Sequence, residues 1–157
     1  MYLPYLRGKQ FELIAVREFS IEYPNNKYVI PIIEPVKSTF NSLATAIKVM
    51  FENELTFSLV LNPLDGDFKR ISKDILSEIS ILGKNRTKWI PALVCSSSEK
   101  TNKILSYIES MDLQNVMLIY KNGIELDDTK MEFLSDSRIG FIVNGDANSR
   151  ITTRKLG

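Results

Sequence analysis

The chain has 157 residues, one domain's worth, which suffices to bury roughly 70% of the surface that the unfolded chain would expose. Its 44% apolar and 25% charged content is that of a globular protein, and 20 Lys and Arg against 19 Asp and Glu leave a formal charge of +1, so no bulk field favours nucleic acid or an anionic membrane, although a local basic patch is compatible with it. The absence of histidine removes Ser-His-Asp and Cys-His catalysis and every His-containing zinc site, and the single cysteine, Cys95, removes intramolecular disulfides and Cys-rich metal centres.

Taken in chain order, "YLPYL" is a short strand candidate, and "GKQFELIAVREF" follows it with Phe11, Ile14, Ala15 and Phe19 on one helical face. The apolar run "YVIPII" (28–33) predicts a second strand. From Ser38 the positions Phe40, Leu43, Ala44, Ile47, Met50 and Phe51 step at helical spacing. The run "TFSLVL" (56–61) is a third strand. From Asp67 the stripe Phe68, Ile71, Ile75, Ile79 and Leu82 predicts a helix with Gly83 at its end. "WIPALVC" (89–95) is a fourth strand, and Ser96-x-x-Glu99 is a capping box for a helix carrying Ile104, Leu105, Ile108 and Met111. "NVMLIY" (115–120) and "IGFIV" (139–143) complete the series, with a weaker helical stretch over about 126–134 between them.

The strand candidates are continuous apolar runs, the pattern of strands covered on both faces, and they alternate with helices. The expected fold class is therefore α/β, with parallel strands in a partial or open (βα) TIM-barrel-like arrangement; an open doubly wound sheet is the alternative. The whole chain is read as one α/β domain.

Within "YVIPIIEPVK" (28–37) a glutamate stands between two prolines at the exit of a buried-looking strand. Pro4, Pro31 and Pro91 each open a strand candidate, where a residue without an N–H is tolerated. Three residues on stand Arg7, Glu34 and Val94, so Arg7 and Glu34 are placed near the carboxyl ends of their strands, roughly 4.8 Å apart if those strands are neighbours. Pro35 holds Glu34 extended and out of the following helix.

Carboxyl ends of parallel strands are where α/β folds bind ligands. The residues expected there are Arg7, Glu34, Asn62, Ser96, Lys121, Asn144 and Asp146. Glu34 is the candidate base or metal ligand, with Arg7 or Lys121 as anion holder, while an Arg7–Glu34 ion pair closing the sheet is the structural alternative and the preferred one. Asp65 and Asp67 around Gly66 have a spacing compatible with Mg²⁺, but a turn followed by an N-cap explains them better. The hydroxyls of "CSSSEK" (95–100) are read as helix capping in preference to phosphate binding, and "VNGDANSR" (143–150) as a turn. Cys95 is read as a buried, inert thiol. Neither G-x-G-x-x-G nor G-x-x-x-x-G-K-[ST] occurs, so no standard dinucleotide or P-loop cofactor is expected, and no metal or other cofactor is assigned.

The start "MYLPYLRGKQFELIAVREF", followed by "IPIIEPVK", resembles the opening of a group of bacterial and phage proteins related to the family called the phage beta protein. The matching positions are Tyr2, Pro4, Tyr5, Arg7, Gly8, Lys9, Glu12, Pro31, Ile33, Glu34 and Pro35. The resemblance implies a barrel-like α/β fold, a longer chain and a phage or mobile-element setting, and it implies no particular activity. Six strand-helix units fall short of the eight of a closed barrel, and "RITTRKLG" contains no evident closing strand, so an amino-terminal fragment or a short form with an open sheet edge is expected.

Two function classes follow. The first, preferred, is a non-catalytic interaction module acting with a protein partner or by self-association. The second is an enzyme or ligand-binding barrel for a small anionic or phosphorylated substrate at the carboxyl strand ends. No apolar run approaches the roughly 20 residues needed to span a bilayer, the first ten residues lack the order of a secretion signal, and a cytoplasmic setting is expected, with no membrane partner and no strong nucleic-acid signal.

Overall fold

The structure, a computed structural model, describes residues 1–37, 39–63, 75–95, 101–122, 127–145 and 151–155. Its elements are β1 (Tyr5–Leu6), α1 (Gln10–Glu22), β2 (Ile32–Ile33), α2 (Asn41–Glu52), β3 (Ser58–Val60), α3 (Ile75–Glu78), α4 (Ser80–Lys84), β4 (Ile90–Val94), α5 (Thr101–Ser110), β5 (Val116–Tyr120), α6 (Asp128–Leu134), β6 (Ile139–Gly145) and β7 (Ile151–Lys155). The fold class is α/β, with parallel strands β1 to β6 alternating with helices. The chain divides into two compact units, Met1–Ile90 and Pro91–Gly157.

In the first unit β1, β2 and β3 lie side by side in chain order, with Tyr5 level with Ile32 and Ile32 level with Ser58. Ile90 adds the next rung: its N–H donates to the Phe57 carbonyl at 2.9 Å, and the Ser58 hydroxyl donates to the Ile90 carbonyl at 3.0 Å. Right-handed crossovers between neighbours in chain order put consecutive helices on the same face, and α1 packs against α2 accordingly. A doubly wound sheet reverses its strand order at a switch point, and neither unit contains such a reversal.

The prolines behave as their chemistry requires. The carbonyls of Pro4 and Pro31 accept ladder bonds from Ile32 and Ser58 at 2.8 Å, so both residues serve the sheet through the one polar group they retain. Pro91 is the second residue of β4.

The core of the first unit is built on Phe57, buried together with Leu59, Ile33, Ile47 and Met50. The Phe57 ring lies 5.4 Å from that of Phe51 and is stacked 6.4 Å from that of Trp89, which places Phe57 on the helix-covered face of the sheet. Ser58 and its level neighbours Ile32 and Tyr5 therefore point to the opposite face.

Two expectations for helices are corrected. On α1 the buried residues are Leu13, Val16 and Ser20, whereas Phe11 is 82% exposed and Ala15 is exposed; the stripe one residue out of phase faces the sheet. The stripe of Ile75, Ile79 and Leu82 is buried as expected, but it belongs to two short helices that break at Ile79, and Gly83 lies inside α4. The end of α4 is set by Asn85, whose side-chain amide donates to the Ile81 carbonyl, while the Trp89 indole N–H donates to that of Leu82. Phe68, Ile71, the Ser96-x-x-Glu99 box and the Asp65–Asp67 turn lie outside the described residues.

In the second unit β4, β5 and β6 are parallel neighbours, and all five residues of β4 and of β5 are buried, which explains their unbroken apolar runs. Gly140 is a register irregularity between Ile139 and Phe141, opposite Val116 and Met117. The Asp127 carboxylate caps α6 by accepting from the Lys130 N–H at 2.8 Å. A further strand, β7, pairs antiparallel with β6, so the chain does carry a strand within "RITTRKLG". Among the described residues no helix is long and apolar enough to cross a membrane.

Candidate functional site

Arg7 and Glu34 directly follow β1 and β2, and because Leu6 is level with Ile33, they are the next pair in register. The Glu34 N–H donates to the Leu6 carbonyl at 2.8 Å. Their environments differ sharply: Arg7 is exposed, whereas Glu34 is 0% exposed. The Tyr5 hydroxyl donates to the Glu34 Oε2 at 2.7 Å. The contact follows from strand geometry, since Tyr5 is level with Ile32 and Glu34 is two residues further along the same face.

Gly8 sits against this joint with a φ of +62°, a left-handed conformation that costs glycine little. A Cβ there would come within 3.2 Å of the Glu34 carbonyl, so a side chain at position 8 is resisted by backbone conformation and by space. From Gly8 the chain turns into α1, where the Lys9 N–H donates to the Glu12 carboxylate at 3.1 Å.

Beside the joint lies a cavity of about 270 Å³, lined by Gly8, Gln10, Pro35, Lys37, Thr39 and Ser42 together with the buried Leu13 and Leu43. Gln10 and Ser42 belong to the first turns of α1 and α2; the Glu12 carboxylate already engages the N-cap of α1, whereas the N-cap of α2, Phe40, makes no side-chain hydrogen bond. The cavity is thus bordered by helix-start N–H groups without intrahelical partners and by the positive end of the α2 dipole, that of α1 being offset by Glu12. Lys37 is exposed and forms no ion pair among the described residues. Such a lining can hold a small oxyanion by charge, hydroxyls and amide N–H groups.

No family model matches the chain, and no curated protein or solved structure matches it.

Of the other sequence candidates, Asn62 is half-buried, two residues beyond the end of β3, and so joins Arg7 and Glu34 at the carboxyl ends of the first unit's strands. In the second unit Lys121 directly follows β5 and Asn144 lies in β6, level with Tyr120. The Asn144 Oδ1 is buried without a hydrogen-bond partner among the described residues. Ser96 and Asp146 lie outside the described residues. Cys95 is buried, with its thiol 3.6 Å from the Leu93 carbonyl. Among the described residues no group of three or more carboxylates and thiols could hold a metal ion.

The sequence reading missed Tyr5, Gly8, Gln10, Lys37, Thr39 and Ser42 as site residues. The signal for Tyr5 is its period-2 relation to Glu34 across two neighbouring strands, readable only once those strands are paired. Lys37 could have been found directly: it is the first cation after a strand exit held open by Pro35.

Proposed function

We propose that this chain is a non-catalytic binding module that takes a small phosphate-bearing anion in the cavity at the carboxyl ends of β1 and β2. The observation that carries the reading is Lys37, an exposed cation that forms no ion pair among the described residues, set beside the start of α2, which lacks a side-chain cap. Such starts attract anions through both their N–H groups and their dipoles. Glu34, buried and held by the Tyr5 hydroxyl, is assigned the role of a strut that joins the two strand ends. A carboxylate without accessible surface reaches no ligand unless the joint opens. Arg7 and Asn62 lie at the same ends of their strands but do not line the cavity.

The test is a thermal-shift titration of the whole chain with inorganic phosphate, a sugar phosphate and a nucleotide. A ligand present at about 100 times its dissociation constant adds roughly 2.7 kcal/mol of stability. The expected result is a saturable shift that Lys37→Gln removes and that Glu34→Gln leaves in place. A flat response from a well-folded chain sinks the proposal.

A second reading, docking of a protein partner, is favoured by a different observation. Met1, Tyr2, Ile21, Tyr23 and Tyr28 are all exposed, at the close of α1 and around the start of the β1–β2 pair, where the Tyr2 N–H donates to the Tyr28 carbonyl at 2.7 Å. Exposed tyrosines grouped this way are common in interfaces. The kinship with the phage beta protein group belongs with this reading as a proposal. What supports it is that Tyr5, Gly8, Lys9, Glu12 and Glu34, residues that carry the resemblance, meet in the joint between β1, β2 and α1.

A further inference from the structure

The first unit has a second cavity, of about 230 Å³, formed where α2 ends and β3 begins. Its lining combines the partly accessible Phe51, beside the buried Met50 and Leu55, with three charges. Met50 and Leu55 are buried and Phe51 is half-buried, while Lys27, Glu54 and Lys88 are exposed. Among the described residues none of the three charged side chains forms an ion pair or a side-chain hydrogen bond, although opposite charges border one small space.

Glu54 is an unexpected residue for its place. It follows the C-cap of α2 with a φ of 54°, and the Leu55 N–H donates to the Met50 carbonyl at 2.9 Å, a helix ending in which glycine is the usual occupant. A carboxylate there also adds negative charge to the negative end of the helix dipole. Backbone and electrostatics both disfavour glutamate at this position, and a disfavoured residue on the rim of a cavity points to a use for its charge.

That charge and the helix end together form a subsite for a cation, and Lys27 and Lys88 form one for an anion, with the half-buried Phe51 in the same lining. We infer that this cavity binds a small zwitterion with an apolar side chain, of the class of the aliphatic α-amino acids, with its ammonium at Glu54 and its carboxylate at the lysines. The volume lies below the roughly 300 Å³ at which drug-sized pockets begin, which suits a ligand of this size. A fatty acid would lack any group for Glu54, and a sugar would leave the half-buried Phe51 without an apolar partner.

The experiment is calorimetric titration of the whole chain with L-leucine, with 4-methylpentanoate, which lacks the amine, and with L-leucinamide, which lacks the carboxylate. Saturable binding of L-leucine is expected, with each analogue weaker by roughly tenfold or more, as for the loss of one charge-assisted hydrogen bond. Glu54→Gln should reduce L-leucine to the level of 4-methylpentanoate without changing the latter, and the pair Lys27→Gln and Lys88→Gln should reduce it to the level of leucinamide. All three residues are exposed, so unchanged unfolding midpoints are expected to show the variants intact. The inference is overturned by absence of saturable L-leucine binding into the millimolar range, by either analogue matching L-leucine, or by variants that bind as the wild type does.

Discussion

The hydrogen bond from Tyr5 to Glu34 gives the sharpest test of the joint between β1 and β2. Tyr5→Phe removes one oxygen and leaves the ring, taking away a donor 2.7 Å from a carboxylate that has no exposed surface. Hydrogen bonds to charged groups contribute roughly 1.5–3 kcal/mol net, and burial of the acceptor places this one near the middle of that range, about 2 kcal/mol. In a chain of this size each kcal/mol moves the midpoint by roughly 2–4 °C, so Tyr5→Phe should melt about 4–8 °C lower. Urea unfolding measures the free energy, and the m-value checks that only stability has changed. The double variant Tyr5→Phe with Glu34→Met removes both partners, and its loss should fall short of the sum of the singles by at least about 0.5 kcal/mol, because neither variant partner is then left unsatisfied. The reasoning fails if Tyr5→Phe lies within about 0.5 kcal/mol of the wild type, or if the two substitutions simply add.

Two further predictions concern the second unit. A Cβ at Gly140 would overlap the Asn115 side chain, so Gly140→Ala should cost roughly 1–3 kcal/mol by overpacking. Asn115 itself has a φ of 54°, so Asn115→Gly should restore most of that loss in the double variant, and additive losses in urea unfolding would refute the contact. At the turn into β6, Arg138 donates through its side chain to both oxygens of Asp136 at 3.0 Å and through its backbone N–H at 2.9 Å. The side-chain hydrogen bonds first, then the backbone one, hold the Asp136 carboxyl below its ordinary value of 3.8. A lowered carboxyl stabilises the fold above its unfolded pKa and loses that contribution as pH falls through the folded one. Asp136→Asn should therefore be less stable than the wild type at neutral pH and less sensitive to acid below about pH 4, as urea midpoints across pH would show; parallel pH profiles would count against it.

How much of this was legible in the sequence depended on how many faces each element buries. β4 and β5 were readable because every one of their residues is buried, so an unbroken apolar run could mean little else. The face of α1 was not, because Phe11, Ile14, Ala15 and Phe19 and the out-of-phase set Leu13 and Val16 are both apolar, and periodicity cannot choose between two stripes that together encircle most of a helix. β7 was invisible for the opposite reason. Its five residues, "ITTRK", include one strongly apolar side chain, and an antiparallel edge strand needs no more. Arg7 and Glu34 were placed at neighbouring strand ends from the spacing of Pro4 and Pro31 alone. The Tyr5 contact required knowing that β1 and β2 are parallel, adjacent and in a particular register, which no local pattern contains.

The stretch "YVIPIIEPVK" can now be explained from the physics of its two prolines. Pro31 enters the sheet through its carbonyl, which accepts from Ser58, and needs no N–H there. Glu34, kept extended by Pro35, continues the ladder with its own N–H and turns its carboxylate inward to Tyr5. Val36 is buried and Lys37 is exposed, so within three residues the chain passes from a fully buried carboxyl group to a solvent-facing cation. If Glu34 anchors the exit and Lys37 meets the ligand, the two roles are separable by substitution. Weakening the anchor with Tyr5→Phe should lower stability while leaving phosphate affinity nearly unchanged, whereas Lys37→Gln should do the reverse. A loss of affinity in Tyr5→Phe equal to that in Lys37→Gln would instead make the buried pair part of the binding machinery and restore Glu34 as a ligand-contacting residue.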